Sequence, residues 1–253
     1  MAEEKKAKHV GIILDGNRRF AKRLMLEPWR GHELGFEKLK KIYEWCKELD
    51  IKELTLYCFS MQNFDRPKIE FDYLMDIFER AGNEAAEDPA VHANKIRFRL
   101  AGRPWLFPER VQKALNRAVE ATKNYNDFVI NLCFAYGGRE EIMDGMKKML
   151  KDIKEGKIKG EYIEFFEKTE TDVKDIKADD AKFQTFFSKY LDIGNDLDII
   201  IRTGGDKRTS NFLPWQSIYA ELFFLDKFWP EFEKEDLIKV LEEYGQRERR
   251  FGK

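Results

Sequence analysis

The chain has 253 residues, of which 37% are charged and 43% are hydrophobic, and its formal net charge is −1 at pH 7. This length allows one large α/β domain or two small ones, and the near-neutral charge provides no global basic field that would collect nucleic acid. No segment is long and apolar enough to span a membrane, and the polar residues 1–8 do not resemble a signal peptide. Three scattered cysteines show no zinc-binding spacing and predict core thiols in a reducing cytoplasm.

The first predicted element is a hydrophobic strand that ends in an acid, a glycine and two arginines. Val10, Ile12 and Leu14 alternate as in a buried strand, and the Asp-Gly-Asn sequence that follows allows a helix to begin. A helix N-terminus with two guanidinium groups beside it binds anions. Asp15 suits a divalent cation held between the protein and such an anion, although an ordinary helix cap explains Asp15 equally well.

Strand-like and helix-like segments alternate along most of the remaining chain. This alternation predicts one α/β domain, residues 1–253, with a mostly parallel central sheet flanked by helices. The charge-rich stretch 154–196 predicts short surface helices rather than a second domain. Further strands are predicted over 53–60, 95–101, 128–135, 197–201 and 220–225, and helices over 31–49, 69–86, 108–124, 139–153 and 234–247.

Several polar residues directly follow predicted strands, where open parallel sheets bind their ligands. Asp15, Ser60, Arg139 and Arg202 all have this position. Arg202 enters a Gly-Gly turn that is followed by Arg208 and Ser210. Two guanidinium forks and a hydroxyl on flexible backbone suit a diphosphate, and a solvated basic loop is the alternative interpretation.

Weaker signals come from the loop 59–67, from His32 at a glycine-flanked helix start, and from the basic segment 247–252, which a simple helix C-terminus also explains. The sequence contains no nucleotide-binding glycine loop, no nucleophile elbow and only three histidines. The paired Asp-Asp-x-x-Asp motifs of one class of prenyl-transferring enzymes are also missing. Asp15 and Glu221 are the remaining candidate cation ligands.

Five blocks and a terminal element resemble the undecaprenyl diphosphate synthase family of cis-prenyltransferases over most of the chain, about residues 9–252. The first contains Asp-Gly-Asn, and the fifth contains Arg-Thr-Gly-Gly-x-x-Arg-x-Ser-Asn-Phe. The blocks are His9–Lys22, Gly31-His32-x-x-Gly35, Phe59–Pro67 with Glu70, Asn131–Arg139, and Ile201–Glu221, and the terminal element is Arg247–Gly252.

The resemblance implies a magnesium-dependent homodimer and a role for each matching residue. Asp15 would bind Mg²⁺, with Glu221 as a second acid near the metal. Asn63 and Arg66 would assist ionisation and proton loss. The allylic diphosphate would contact Gly16, Asn17, Arg18, Arg19, His32, Ser60 and Arg66, and isopentenyl diphosphate would contact Arg202, Arg208 and Ser210 together with Arg250 and Gly252, which reach across the dimer.

The implied reaction extends an allylic diphosphate with cis isoprene units, giving a polyprenyl diphosphate for a glycan carrier lipid. The product would grow in a hydrophobic tunnel between sheet and helices, with Cys58 and Ile130 near its floor, and the protein would contact the cytoplasmic leaflet transiently. Departures from the bacterial pattern, such as Arg18, Phe64 and Lys207, look archaeal and leave the allylic substrate open. Alternatives are a member with short products or another acceptor, a non-catalytic partner subunit, and a phosphate- or nucleic-acid-binding module.

Overall fold

The structure, a computed structural model, describes residues 6–158, 162 and 173–247. Its described residues form one six-stranded sheet in the order β3-β4-β2-β1-β5-β6, and every neighbouring pair is parallel. The predicted α/β fold with a central parallel sheet is therefore confirmed. The strands are β1 (His9–Ile13), β2 (Glu53–Ser60), β3 (Ile96–Gly102), β4 (Phe128–Tyr136), β5 (Ile199–Arg202) and β6 (Glu221–Phe224).

Eight helices among the described residues flank these strands. They are α1 (Asn17–Arg23), α2 (Gly31–Glu48), α3 (Lys68–Glu87), α4 (Pro89–Ala93), α5 (Glu109–Thr122), α6 (Gly138–Lys154), α7 (Val173–Ser188) and α8 (Lys234–Gln246). The five whose bounds the sequence predicts, α2, α3, α5, α6 and α8, begin and end close to the predicted positions. The stretch 154–196 was predicted to form short surface helices, whereas α7 has 16 residues. Phe187 of α7 is buried with Met149 and Leu191, so an apolar cluster holds this stretch against α6.

The centre of the sheet is apolar because helices cover it on both sides. Val10 and Ile12 of β1 and Ile199 and Ile201 of β5 are completely buried, as expected for parallel strands. The register pairs Ile13 with Arg202 and with Tyr57, so the strand ends are level. The residues that follow these strands therefore lie close together at the carboxyl ends of the sheet.

A cavity of about 720 Å³ lies between the sheet and the helices α2, α3 and α5. Its walls are mainly apolar, and its mouth lies at the carboxyl ends of the strands. This is the predicted hydrophobic tunnel. No helix in the described part of the chain has the length and apolarity needed to cross a membrane. Apolar lining residues include Leu56, Cys58 and Ile130 of the sheet, Phe36 and Leu39 of α2, Leu74 and Phe78 of α3, and Leu115 of α5.

A buried polar network surrounds His9 at the amino-terminal ends of the strands, opposite the mouth of the cavity. The His9 ring lies 2.9 Å from the Asp196 carbonyl oxygen through Nδ1 and 2.8 Å from the Thr55 hydroxyl through Nε2. Asn131 donates to the same hydroxyl at 2.9 Å. Burial lowers the pKa of His9 below its ordinary value of 6.5, although the carboxylates of Glu53, Asp198 and Asp196 oppose this change. The network therefore favours a neutral imidazole.

We expect His9 to make the protein less stable as the pH falls below its ordinary pKa of 6.5. Below this pH the unfolded chain takes up a proton that the folded chain resists, so the free energy of unfolding decreases. His9→Gln should flatten this decrease between the ordinary pKa of histidine and that of carboxyl groups, about 4. Urea unfolding at a series of pH values measures the slope, and an unchanged slope in the variant would contradict the assignment.

Candidate active site

Asp15 lies in the turn after β1 and pairs with a buried arginine from β5. Arg202 Nη2 donates to Asp15 Oδ2 at 2.8 Å, and the Arg202 side chain is 5% exposed. Its other terminal nitrogen donates to the Arg208 carbonyl oxygen at 2.5 Å and to Ser210 Oγ at 2.8 Å. One guanidinium thus joins the turn after β1 to the loop after β5.

The Gly-Gly turn after β5 brings a second carboxylate to the same place. Gly204 has φ +90°, a conformation that other residues rarely adopt, and a Cβ there would lie 3.2 Å from the Asp15 carbonyl carbon, so the turn favours glycine. Asp206 Oδ2 then lies 3.0 Å from Arg208 Nη2, 3.5 Å from Arg202 Nη2 and 3.7 Å from Arg19 Nη2. We call Asp15, Asp206, Arg19, Arg202 and Arg208 the Asp15 cluster, in which three arginines share two acids.

The turn that carries Asp15 is held by its backbone as well as by its side chain. The Thr203 hydroxyl donates to the Asp15 carbonyl oxygen at 2.8 Å and accepts from the Asp15 N–H at 3.1 Å. Gly16 N–H donates to Asp15 Oδ1 at 2.6 Å. Burial raises the pKa of Asp15, but the hydrogen bond and charge of Arg202, with the charge of Arg19, outweigh burial and hold the pKa below its ordinary value. Asp15 is therefore an ionised, fixed carboxylate.

A second group, the Glu70 cluster, surrounds a buried acid of α3. Glu70 is 2% exposed, and its Oε1 accepts a hydrogen bond from Arg66 Nη1 at 2.8 Å. His32 Nε2 lies 3.0 Å from the same oxygen, and Arg18 Nε lies 3.5 Å from Oε2. The cluster consists of Glu70, Arg18, His32 and Arg66, and it contains two arginines but a single acid.

Protonation in the Glu70 cluster follows from burial and from charge. Burial raises the pKa of Glu70, but the hydrogen bond with His32 and the charge of Arg66 bring the pKa below its ordinary value. Burial lowers the pKa of His32, and the charges of Arg66 and Arg18 lower it further against the opposing effect of Glu70. At neutral pH the cluster thus holds an ionised acid, a neutral imidazole and two guanidinium groups, with one positive charge in excess.

Most of the residues predicted from the sequence lie together in the structure. The cavity mouth is lined by Asp15, Asn17, His32, Ser60, Asn63, Arg66, Arg202 and Ser210. Arg19 and Arg208 belong to the Asp15 cluster, Arg18 to the Glu70 cluster, and the Gly16 backbone contacts Asp15. Asn63 also has a local role, since its Oδ1 accepts from the Ser60 N–H at 2.9 Å and fixes the turn after β2.

Glu221 is the exception among the described residues. It begins β6 and pairs in register with Ile199, which in turn pairs with Val10. Glu221 therefore lies at the amino-terminal ends of the strands, whereas Asp15 follows the carboxyl end of β1. Asp15 follows Val10 by five residues, which corresponds to about 16 Å along the strand at the usual rise per residue. Glu221 instead accepts from Arg247 Nη1 at 3.2 Å. Glu221 was expected to lie near Asp15, but within one chain the structure does not bring the two residues together. Arg250 and Gly252 lie outside the described residues.

The sequence reasoning gave no role to two central acids. Asp206 lies in the same Gly-Gly turn as Arg202 and Arg208, and this proximity to paired arginines was a usable signal. From the sequence, Glu70 is only part of a motif, because a single acid near the start of a helix ordinarily faces solvent. Its burial depends on His32 of α2 and Arg18 of α1, which are distant in sequence.

Chemically, the arrangement suits an amphiphilic anion. Two clusters, each with one more arginine than acid, lie at the mouth of a cavity with apolar walls. Guanidinium forks bind phosphate oxygens in pairs. The geometry accommodates a diphosphate head at the mouth and a hydrocarbon tail inside.

Comparison with known proteins agrees with this chemistry. The profile of a family described as "putative undecaprenyl diphosphate synthase" matches residues 13–252. The chain belongs to this family of cis-prenyltransferases. It is 45% identical over 248 residues to a tritrans,polycis-undecaprenyl-diphosphate synthase (geranylgeranyl-diphosphate specific) of Thermococcus kodakarensis, covering 97% of this chain and 87% of the relative. A protein of the same name from Methanopyrus kandleri is 42% identical over 247 residues, with 97% and 84% covered.

Solved structures show the same relationship. The crystal structure of lavandulyl diphosphate synthase from Lavandula x intermedia, in complex with dimethylallyl diphosphate, has a TM-score of 0.83 and 30% identity, covering 98% of this chain and 99% of the other. A probable undecaprenyl diphosphate synthase from Campylobacter jejuni has a TM-score of 0.73 and 28% identity, covering 98% and 100%. This cis-prenyltransferase is thus an enzyme that makes Z-configured polyprenyl diphosphates, and the function expected from the sequence is confirmed.

The Glu70 cluster predicts a stability difference between two acids of α3. Glu70→Ala removes the shared partner of Arg66 and His32 and should decrease the free energy of unfolding by about 1–3 kcal/mol. Asp72→Ala is the matched control, since the ion pair of Asp72 within the described part of the chain is with the exposed Lys68 and such pairs contribute about 0–1 kcal/mol. Urea unfolding of both variants provides the comparison, and equal losses would contradict the central role of Glu70.

Proposed function

We propose that this single-domain cis-prenyltransferase uses Mg²⁺ to condense isopentenyl diphosphate with geranylgeranyl diphosphate and so builds a long Z-polyprenyl diphosphate. The observation that supports this is the pair of arginine-rich clusters at the mouth of one apolar tunnel. The choice of the allylic substrate rests on the names of the archaeal relatives, which specify geranylgeranyl diphosphate. We place the reaction in the cytoplasm, with transient contact with the membrane because the product is so apolar.

In this proposal the allylic diphosphate binds near the Glu70 cluster. Arg18 and Arg66 would contact its oxygens, together with Arg19, Asn17 and the Gly16 backbone at the start of α1. When the bond between the allylic carbon and oxygen breaks, negative charge develops on the departing diphosphate. Fixed guanidinium groups stabilise this charge without having to reorganise, which is the usual main contribution to such catalysis. Glu70 holds Arg66 in place for this role.

Isopentenyl diphosphate would bind beside the first substrate, at the loop after β5. Arg202 is already oriented by Asp15 and Ser210, so its position costs little entropy when the substrate arrives. Arg208 supplies a second fork, and Arg250 and Gly252 of a partner copy would complete the site. The double bond of this substrate then attacks the allylic cation, and the resulting cation would lose a proton to the released diphosphate, with Asn63 and Arg66 assisting.

The donor set at Asp15 fits Mg²⁺. This ion is typically held by one or two carboxylates and by substrate phosphates, and Asp15 is an ionised carboxylate with Asp206 beside it. No cluster of three or more acidic, histidine or cysteine ligands occurs among the described residues, so substrate oxygens would have to supply part of the coordination. When bound, the ion would neutralise diphosphate charge. Glu221 of the same chain is too far from Asp15 to take part.

Incubation with Mg²⁺, labelled isopentenyl diphosphate and a panel of allylic diphosphates tests the proposal. We expect long products with geranylgeranyl diphosphate, and loss of incorporation after chelation of the metal. Asp15→Asn should lower turnover about 100- to 1000-fold, as loss of one transition-state contact typically does, with Asp72→Asn as the matched control. Short products only would favour a short-chain enzyme, no incorporation with any primer would favour a partner subunit, and full activity of Asp15→Asn would refute the role of Asp15.

We also propose that the enzyme is a homodimer. Met143, Met146 and Leu150 form an exposed apolar stripe on α6, 54%, 48% and 51% exposed. Leu222 is 41% exposed on β6, which is the last strand of the sheet that the described residues form. Pairing of two copies through these surfaces would cover both.

Size-exclusion chromatography with light scattering measures the oligomeric state. We expect the parent chain to be a dimer and Met146→Glu to shift it toward the monomer, because the new carboxylate would be buried without a partner. Met25→Glu is the matched control, since Met25 is 96% exposed in the turn after α1. A monomeric parent, or equal effects of the two substitutions, would refute the proposed interface.

A further inference from the structure

The loop after β5 ends in a turn whose backbone is strained. Ser210, Asn211 and Leu213 have φ values of +51°, +65° and +49°. Residues other than glycine rarely adopt this left-handed conformation, although asparagine does so more readily than serine or leucine. Such a backbone persists only where the surrounding structure holds it. We call residues 210–213 the Ser210 turn, and its shape must come from its contacts.

The second half of the Ser210 turn is held by apolar packing. Phe212 and Leu213 are completely buried. The Phe212 ring stacks on the ring of Tyr57 of β2, with 4.8 Å between their centres. The Tyr57 hydroxyl also donates to the Ser210 carbonyl oxygen at 3.2 Å. These contacts fix the end of the turn and one carbonyl group near its start.

The first half of the turn is held by the start of α6. Asn211 Oδ1 accepts from the Arg139 N–H at 3.0 Å, and Asn211 Nδ2 donates to Glu140 Oε2 at 2.9 Å. The Asn211 carbonyl oxygen accepts from the Gly138 N–H at 2.8 Å. A carboxamide offers an acceptor and a donor side by side, so it satisfies an N–H group and a carboxylate together. We call Asn211, Gly138, Arg139 and Glu140 the Asn211 clasp.

The clasp requires α6 to begin very close to the loop. A Cβ at Gly138 would lie 1.9 Å from Pro214 Cδ, so a larger residue there would push the two segments apart. Gly138 lies in the block Asn131–Arg139 that the sequence singles out. The structure thus gives the end of this block a task, which is to hold the Ser210 turn.

The turn places a hydroxyl beside the buried guanidinium of the Asp15 cluster. Ser210 Oγ accepts from Arg202 Nη1 at 2.8 Å, and the Arg208 carbonyl oxygen accepts from the same nitrogen. If the turn relaxed to an ordinary backbone conformation, Ser210 Oγ would move away from Arg202. The Glu70 cluster is built on other elements, α1, α2 and α3, so such a change would affect one end of the cavity mouth more than the other.

We propose that Asn211 is a positioning residue for isopentenyl diphosphate, which acts by holding the Ser210 turn against α6. This inference rests on the proposed function, because it takes Ser210 and Arg202 as ligands of that substrate. The apparent affinity of a site falls in proportion to the fraction of the protein in which the site is formed. Weakening the clasp therefore raises the KM for isopentenyl diphosphate. Turnover at saturation changes little, because the bound diphosphate restores the turn.

A reversal of the amide and the acid tests the proposal. Asn211→Asp keeps the acceptor for the Arg139 N–H but places a second carboxylate beside Glu140. We expect the KM for isopentenyl diphosphate to rise about tenfold, as when about one tenth of the protein retains the formed turn. The KM for geranylgeranyl diphosphate and the urea midpoint should stay near those of the parent. Adding Glu140→Gln restores an amide–carboxylate pair with the roles exchanged and should return the KM toward the parent value.

The chain offers a matched control with the same chemistry. Asn195 Nδ2 donates to Glu53 Oε2 at 2.8 Å, at the opposite ends of the strands. Asn195→Asp creates the same repulsion there and should leave both KM values unchanged. Glu140→Ala is the second variant, should Asn211→Asp fail to fold, because it removes one arm of the clasp and keeps the asparagine in the turn. It should raise the KM for isopentenyl diphosphate alone, by less than tenfold.

Three results would overturn the proposal: parent-like KM values in the clasp variants, equal increases in KM for the two substrates, or no recovery in the double variant. Titration calorimetry with isopentenyl diphosphate gives the same comparison without turnover. Failure of the proposed function itself would be distinguishable, because the parent would then incorporate no isopentenyl diphosphate at all.

Discussion

The buried guanidinium of Arg202 is the interaction on which the rest of the active site depends. Its side chain is almost completely enclosed, and a charge in that position is tolerated only with partners. It finds them in Asp15 after β1 and in the Arg208 carbonyl and Ser210 hydroxyl after β5. Removing any partner would leave part of a buried charge unsatisfied. The two loops are therefore fixed relative to each other before a substrate binds.

The parallel sheet explains why charge and hydrocarbon chemistry lie side by side. Strand ends at one edge present the polar side chains, and the helices that start at that edge run back along the sheet and enclose the tunnel. His32 near the start of α2 and Glu70 near the start of α3 meet at the mouth for the same reason. A diphosphate bound there would direct its tail along the helices, away from the charges.

Different parts of the tunnel wall are held by different forces. The contact between α3 and α5 is apolar and close, whereas α2 contacts α3 through Phe36 and through the exposed ion pairs Glu33–Arg80 and Lys40–Glu84. The two sides of α3 therefore differ in chemistry, because one packs closely against apolar residues of α5 and the other forms charged pairs with α2.

The sequence by itself determined the α/β alternation, the strands and most of the helix bounds, because these depend on periodicities within a few residues. It also placed Asp15, Ser60 and Arg202 at the binding edge, since that position follows from the ends of neighbouring parallel strands. Only the tertiary structure showed that Asp206 joins three arginines, that Glu70 is buried between α1, α2 and its own helix, and that Glu221 lies at the opposite edge. These features depend on strand register and on contacts between residues far apart in the chain, and no local pattern encodes such pairings.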